Sequence, residues 1–222
     1  MTAPVNKRPY RSTLRADQAR QTRARILAAA RELFLERGYP RTTLDEIGGR
    51  AGVATDTVLH VFGSKKALLT AVLDVTVGGD DAPVAVLDRA GPQAVREEAD
   101  QRTQIAMFAA GVTAQLERLR PMDDILRSAA ATDDDARALR QDLQLRQRRA
   151  AMTTFATWIA DNGALRGGMT VDDAAAVMWT LTSPEVHQML REHWDWDADR
   201  YQSWLRETLL AGLLPDPVPP PE

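Results

Sequence analysis

The stretch TTLDEIGGRAGVATDTVLHVFGSKK, residues 42–66, predicts two short helices joined by a tight turn and followed by the start of another helix. Thr43 and Glu46 have the spacing of a capping box, so a helix should begin directly after Thr43. Gly52 supplies the left-handed residue that ends this helix. Two short helices around a glycine-containing turn form a helix-turn-helix, which lays its second helix in the major groove of DNA. The polar side of that second helix is formed by Thr55, Asp56, Thr57 and His60.

Residues 26–69 resemble the DNA-binding domain of TetR-type transcriptional regulators. The resemblance covers about a fifth of the chain. It rests on Ala28, Ala29, Ala30, Leu33, Phe34, Gly38, Tyr39, Thr42, Thr43, Ile47, Ala51, Gly52, Val53, Thr57, Phe62, Ser64, Lys65 and Leu68. It implies an all-α fold, with an N-terminal three-helix helix-turn-helix domain and a C-terminal helical domain for ligand binding and dimerisation. It also implies a homodimeric repressor that a small apolar effector releases from a palindromic operator in double-stranded DNA.

The composition sets limits that are independent of the resemblance. The chain has 222 residues, of which 44% are hydrophobic, and this is typical of a globular protein with one large or two small domains. It has no cysteine, which excludes disulfides, thiolate zinc sites and a cysteine nucleophile. No apolar run reaches the ~18 residues of a membrane span, and no signal peptide is evident, so we expect a cytoplasmic protein with no membrane partner.

Charge is distributed unevenly along the chain. Residues 1–66 contain 13 Lys and Arg against 6 Asp and Glu, a net charge of +7, whereas the remaining residues carry a net charge of −10. A basic N-terminal third favours contact with phosphates, and the acidic remainder disfavours it.

Four segments are predicted. Residues 1–19 are expected to form a flexible basic arm, which either contacts the DNA or remains a solvated extension. Residues 20–78 form the helix-turn-helix domain, with a first helix from Ala19 to Arg37 and the start of a fourth, linking helix. Glycines and a proline between Gly78 and Pro83 mark the boundary. Residues 79–214 form the helical second domain, and residues 215–222 form a proline-rich disordered tail.

The candidate DNA-contacting residues lie in the arm, in the second helix of the motif and at two helix starts. Compared with the usual TetR pattern, Leu59 replaces a tyrosine and Asp56 replaces a small residue. Ala54 replaces a capping serine, so the helix cap is expected to move to Thr55. Asp56 either complements the helix dipole or accepts a hydrogen bond from cytosine. Lys65 either contacts phosphate, as the resemblance implies, or is simply solvated. The candidates are Thr43, Thr55, Asp56, Thr57, Leu59, His60, Lys65, Lys66, Arg11 and Arg15.

Proline and capping residues divide the second domain into predicted helices. One is expected to begin at Pro92 and end at Pro121. Another should be capped by Thr132 and continue to Gly163, with Asp133, Asp134 and Asp135 matching its dipole rather than binding metal. The last three are expected at residues 171–182 with Thr170 as the cap, at residues 184–193, and from Ala198 to Leu213 with Asp197 as the cap.

Two groups of apolar residues in the second domain are candidate contact sites. The alternative for each is that its side chains are simply part of the core. The ligand-pocket candidates are Met107, Phe108, Met122, Phe155, Trp158, Met178 and Trp179. The dimer-interface candidates are Val186, Met189, Leu190, Tyr201, Trp204, Leu205 and Leu209.

An enzyme and a nonspecific DNA-binding protein are the two alternatives to the dimeric repressor. The chain contains no recognisable catalytic or phosphate-binding motif, so we expect neither an enzyme nor a cofactor. The nearest metal constellation is His187, Glu192, His193, Asp195 and Asp197, but its histidines are six residues apart and point to different helix faces, so no metal is expected. The remaining alternative is a constitutive or nonspecific DNA-binding protein without an effector.

Overall fold

The computed structural model describes residues 8–216, with side chains described from Arg15 onward. Within this range the chain forms eleven α-helices and no β-strand, which confirms the all-α prediction. The helices are α1 Arg8–Arg37, α2 Leu44–Ala51, α3 Thr55–Phe62, α4 Lys65–Gly78, α5 Ala90–Glu97, α6 Gln101–Ala130, α7 Asp134–Gln141, α8 Arg149–Asp161, α9 Val171–Leu181, α10 Pro184–Gln188 and α11 Ala198–Leu213.

The chain divides into two compact units, Met1–Asp74 and Val75–Glu222. The division falls inside α4, whereas the sequence suggested a boundary at the glycine-rich stretch that follows this helix. We call the first the N-terminal unit and the second the C-terminal unit. Residues 1–7 of the predicted arm and 217–222 of the predicted tail lie outside the described residues.

The helix α1 begins well before the predicted start at Ala19. It has 30 residues and starts at Arg8, so the expectation of a flexible arm is wrong for residues 8–19. Pro9 lies in the first turn, where the missing N–H of proline costs no intrahelical hydrogen bond. The following residues include arginine, leucine, alanine and glutamine, all of which favour helix. The basic residues of this segment are therefore carried on a helix rather than on an extended chain.

The core of the N-terminal unit is built on the apolar face of α1. Ile26, Ala30 and Phe34 are fully buried, as their helical spacing predicts. Ile47 of α2, Val58 of α3 and Leu68 of α4 are also fully buried in this unit. This core fixes the buried sides of α2 and α3 and leaves their opposite sides at the surface.

Hydrogen bonds and ion pairs attach α2 to the end of α1. The hydroxyl of buried Thr42 donates to the carbonyl oxygens of Gly38 at 2.9 Å and Leu33 at 3.2 Å. The guanidinium of Arg50 donates to both carboxylate oxygens of Glu36, each at 3.0 Å. Such two-point contacts restrict how one helix can rotate against the other.

Two predicted features of the first helix in the C-terminal unit are wrong. The first predicted helix is interrupted after Glu97 and restarts at Gln101, because the Asp100 side chain accepts the backbone N–H of Thr103 at 2.8 Å and caps α6. Pro121 does not end α6, which continues to Ala130. The buried residues Met122 and Leu126 on this continuation offset the hydrogen bond that proline removes.

Other limits were predicted closely. The cap of α7 is Asp133, one residue after the expected Thr132, and it accepts from the N–H of Ala136 at 2.8 Å. Thr170 forms a capping box with Asp173 at the start of α9, and Asp197 caps α11. These caps were recognisable because each involves residues only three positions apart.

Two π-helical segments interrupt helices that were predicted to be continuous. Asp142–Arg148 lies between α7 and α8, so the helix expected to reach Gly163 consists of three parts and ends at Asp161. Met189–His193 follows α10. Wider turns of this kind carry no simple sequence signal, and they redirect the side chains that follow.

The core of the C-terminal unit includes a row of three aromatic side chains, in which the middle ring contacts the other two. The Phe108 and Phe155 ring centres are 4.8 Å apart, and those of Phe155 and Trp158 are 5.0 Å apart, both with edge-to-face geometry. Tyr201, Leu205 and Leu209 of α11 are fully buried in the same core.

Candidate nucleic-acid interface

The start of α2 has the capping box that the sequence predicted. The N–H of Glu46 donates to the Thr43 hydroxyl at 3.2 Å, and the N–H of Thr43 donates to the Glu46 carboxylate at 2.9 Å. This backbone hydrogen bond is the main cause of the lowered pKa of Glu46. Thr43 itself remains exposed at the end of the helix, where it could also meet a phosphate.

Helix α2 contains two adjacent glycines, Gly48 and Gly49, which helix propensity disfavours, and the turn that follows the helix explains the first of them. Gly52 has φ of 67° and is the left-handed cap, as predicted. The N–H of Val53 donates to the Gly48 carbonyl at 2.9 Å. A Cβ atom on Gly48 would lie 2.9 Å from the carbonyl oxygen of Val53, which is closer than side chains tolerate, whereas one on Gly49 would have no neighbour within 4 Å. Gly48 therefore permits a close approach, and the structure gives no reason for Gly49.

The predicted cap of α3 is wrong. The cap residue is Ala54, which makes no side-chain hydrogen bond, and Thr55 is already the first residue of the helix. The Thr55 hydroxyl instead donates to the carboxylate of Asp45 at 2.8 Å. This contact joins α2 to α3 and holds their relative angle. No local pattern predicts it, because the partners are ten residues apart and lie on different helices.

The far side of α3 packs on α1. Val58 is fully buried, and Phe62 is half-buried beneath the guanidinium of Arg23, which lies 4.7 Å from the ring centre. The contact is a cation–π interaction between an α1 side chain and the last turn of α3. The buried side of α3 is therefore fixed at both its middle and its end.

The exposed side of α3 is formed by three of the candidate residues. Asp56, Leu59 and His60 are exposed, and 41% of the Leu59 surface is accessible. Asp56 lies in the first turn, as its dipole interpretation requires. Thr57 is half-buried beside them. We call Asp56, Leu59 and His60 the outward arc of α3.

Lysine side chains follow at the start of α4. The Ser64 hydroxyl accepts the N–H of Ala67 at 3.1 Å and caps the helix. The ammonium of Lys65 donates to the Pro40 carbonyl at 3.3 Å and lies 4.4 Å from the centre of the Tyr39 ring. These contacts offset the unfavourable position of a cation in the first turn. The dipole penalty alone therefore does not require a phosphate as the partner of Lys65.

The two candidate arginines both lie on α1. Arg15 is exposed. The side chain of Arg11 lies outside the described residues.

The pocket candidates of the C-terminal unit lie in or beside its core. Phe108, Met122, Phe155 and Met178 are buried, and the other three, Met107, Trp158 and Trp179, are half-buried. The indole N–H of Trp179 donates to the Gln144 carbonyl at 3.1 Å, and the Arg148 guanidinium lies 5.0 Å from the indole ring centre. Burial lowers the pKa of Arg148 to about 10. Trp179 is thus fixed by the π-helical segment before α8.

The interface candidates include three residues that cannot serve that purpose. Tyr201, Leu205 and Leu209 are 0% exposed within a single chain, so their predicted role in a dimer interface is wrong. The periodicity identified the apolar face of α11 but could not distinguish a partner from the chain's own core. Val186, Leu190 and Trp204 are half-buried, and Met189 is 49% exposed. Trp194, which the prediction omitted from the interface, is 70% exposed.

The C-terminal unit also contains a polar cluster that the sequence patterns did not predict. The Glu117 carboxylate bonds to Nε2 of His187 at 2.8 Å and accepts from Nε of Arg191 at 2.7 Å. Burial lowers the pKa of His187, and the Arg191 guanidinium is the main cause of the lowered pKa of Glu117. His187, one of the five metal candidates, instead belongs to this cluster, and the described residues contain no group of three or more His, Cys, Asp or Glu side chains that could hold a metal ion.

Residues 26–72 match the family model described as bacterial regulatory proteins of the tetR family. The regulator TtgW of Pseudomonas putida is 45% identical over 58 residues, which are 26% of this chain and 43% of TtgW. That match therefore spans less than half of the relative's length. CymR of Pseudomonas putida is 26% identical over 202 residues, which cover 90% of this chain and 93% of CymR.

A solved structure extends the similarity over most of the chain. The complex of SmeT with triclosan has a TM-score of 0.64 and 25% identity, and it covers 90% of this chain and 99% of that one. A helix-turn-helix followed by a helical C-terminal unit defines a class of DNA-binding regulator. The match over residues 26–72 and the similarities to CymR and SmeT over most of the chain all support a TetR-family transcriptional regulator. Within residues 8–216 no helix combines the length and apolar character needed to cross a membrane.

Proposed function

We propose that this chain is a dimeric transcriptional repressor that binds a palindromic operator and is released from it by a small apolar ligand. The observation that carries the proposal is the fixed orientation of α3. Its buried side is held by Val58 and Phe62, its start is joined to α2 through Thr55, and its outward arc is exposed. A helix held in this way can enter a major groove without rearrangement.

Charge supports DNA as the partner of this surface. The net charge of +7 over residues 1–66 would attract the phosphates on either side of the groove. Arg15, Lys65 and Lys66 are the proposed phosphate contacts, and Thr43 stands at the start of α2 where a phosphate is favoured. The acidic remainder of the chain would be kept away from the duplex by the same electrostatics.

Dimerisation follows from the small size of the motif. An α3 of 8 residues reaches few base pairs, and two copies about 34 Å apart would reach successive major grooves on one face of the duplex. A two-fold dimer then requires a palindromic site. The exposed apolar residues Met189 and Trp194 support a contact surface next to α10, in place of the buried residues of α11.

A ligand in the C-terminal unit is proposed from its apolar core and from the triclosan bound by SmeT. The closely packed rings of Phe108, Phe155 and Trp158 would have to separate for an aromatic ligand to enter between them. Triclosan is a suitable probe. We expect it to raise the thermal midpoint of this protein and to weaken operator binding. A rise without any change in DNA affinity would contradict release by ligand.

The test of DNA recognition is selection of bound duplexes from a random pool at near-physiological salt. We expect an inverted repeat with half-sites about one helical turn apart. Affinity for the selected and for a scrambled duplex should then be compared across salt concentrations. A specific regulator keeps a large difference between the two, whereas a nonspecific binder loses both affinities together, which would support the alternative function.

A further inference from the structure

The outward arc of α3 has an unusual set of functional groups for a surface that meets DNA. A helix advances about 100° per residue, so Leu59, Asp56 and His60 fall within one arc of about 100° that is opposite to buried Val58. Leu59 is the fifth of the eight helix residues and lies near the middle of the surface. Its side chain is 41% exposed, although it is large and apolar.

The chemistry of the arc limits which bases it can read. The usual two-point contacts to guanine need arginine or lysine, and those to adenine need asparagine or glutamine. None of these side chains is present in the arc. The hydroxyl of neighbouring Thr55 is already donated to Asp45 at 2.8 Å. The major-groove feature that complements an exposed leucine is the C5 methyl group of thymine.

We propose that Leu59 is a specificity-determining residue that selects a thymine in each half-site by packing against its C5 methyl group. The proposal rests on the DNA-binding function proposed above. Burial of Val58 on one side and the Thr55 contact on the other fix the rotation of α3 about its axis. The direction of the Leu59 side chain is fixed with it. Contact with the methyl group removes apolar surface of both partners from water.

The test replaces thymines of the selected duplex by deoxyuridine, one position at a time, because this change deletes only the methyl group. We expect the full-length protein to lose about four-fold in affinity at one thymine of each half-site, the effect of one buried methyl. Leu59→Ala should bind the thymine and deoxyuridine duplexes equally at that position. Leu35→Ala is the matched control, because Leu35 is similarly exposed in the same unit but lies on α1, and it should keep the four-fold difference.

Three results would overturn the proposal while the protein still selects a specific duplex. One is a half-site that contains no thymine, and another is equal affinity after deoxyuridine substitution at every thymine. The third is an affinity loss on deoxyuridine substitution that is as large in Leu59→Ala as in the wild-type protein. In a double-mutant cycle the effects of the two changes would then simply add. If no duplex is enriched at all, it is the proposed DNA-binding function itself that fails.

Discussion

The two units of the chain bury different kinds of side chain. Thr42 is the buried polar residue identified in the N-terminal unit, whose core is otherwise apolar and whose charged contacts, such as Arg50 with Glu36, lie at the surface. The C-terminal unit buries Gln104, Asp123 and His187, two of which can change charge. The helix-turn-helix is therefore held by apolar packing, helix caps and exposed side-chain bonds, whereas the C-terminal unit also depends on buried groups that can change charge. Substitutions and pH should consequently affect the two units differently.

The largest effect is expected from a charge placed in the core of the C-terminal unit. Leu205→Arg puts a guanidinium into an apolar cluster, at a position that is 0% exposed. The cost should exceed about 4 kcal/mol, because a buried charge in apolar surroundings adds to the lost packing. Tryptophan fluorescence is the measurement, since Trp158, Trp179, Trp194, Trp196 and Trp204 are all five tryptophans and belong to this unit.

Met189→Arg is the control for this substitution, since Met189 is 49% exposed. It should leave the fold intact and, if the proposed surface forms the dimer, yield monomers in sedimentation. A folded Leu205→Arg protein that sediments as a monomer would contradict the burial of α11 and restore the original interface prediction.

A cavity in the apolar core of the N-terminal unit should have the next largest effect. Phe34 is fully buried, and its ring centre lies 5.5 Å from that of Tyr39. Phe34→Ala should cost about 3–5 kcal/mol, with little dependence on pH because the contacts that it removes are apolar. Urea unfolding followed by circular dichroism at two pH values would measure the cost. A loss that changed markedly with pH would contradict an apolar core.

Acid should weaken the C-terminal unit through His187. Burial lowers the pKa of this histidine below 6.5, so as the pH falls below 6.5 the unfolded chain takes up a proton that the folded chain resists. The free energy of unfolding is therefore unaffected by protonation of His187 above pH 6.5, and it decreases as the pH falls towards the pKa of His187 in the folded protein. The lowered pKa of Glu117 adds a further loss below pH 4.5. The groups that face His187 are Glu117, Arg191, Arg120 and the ring of Tyr201, 4.7 Å away.

His187→Gln isolates this contribution. It should lower the free energy of unfolding by about 1–3 kcal/mol at pH 8, where the neutral ring is bonded to Glu117. The difference should be smaller at pH 5.5, because acid has already removed part of the stability that His187 gives the wild-type protein. The free energy of unfolding from tryptophan fluorescence at both pH values provides the comparison. An equal difference at the two values would show that His187 does not titrate in this range.

The sequence predicted the helix-turn-helix more accurately than the C-terminal unit, because the signals that define the helix-turn-helix act over short distances along the chain. Thr43, Glu46 and Gly52 act within one or two helical turns, so their spacing alone reports the structure. Leu205 shows the opposite case, because its periodicity gives an apolar face but not the identity of what covers it. The bonds between Thr55 and Asp45 and between His187 and Glu117 join different helices, and no local pattern encodes them. The continuation of α6 past Pro121 likewise depended on tertiary packing, through buried Met122 and Leu126.

The smallest expected effect comes from the adjacent glycines of α2, which share one helix but differ in their surroundings. Gly49→Ala should stabilise the protein by about 0.5–1 kcal/mol, because alanine favours helix and its methyl group meets no atom within 4 Å. Gly48→Ala gains the same propensity but brings its methyl group within 2.9 Å of the Val53 carbonyl, so the turn before α3 must shift. It should therefore be destabilising and should also weaken operator binding, while Gly49→Ala leaves binding unchanged. Thermal unfolding and operator titration of both variants give the comparison. If both alanines stabilised equally, the close approach at Gly48 would not constrain the turn that sets the angle of α3.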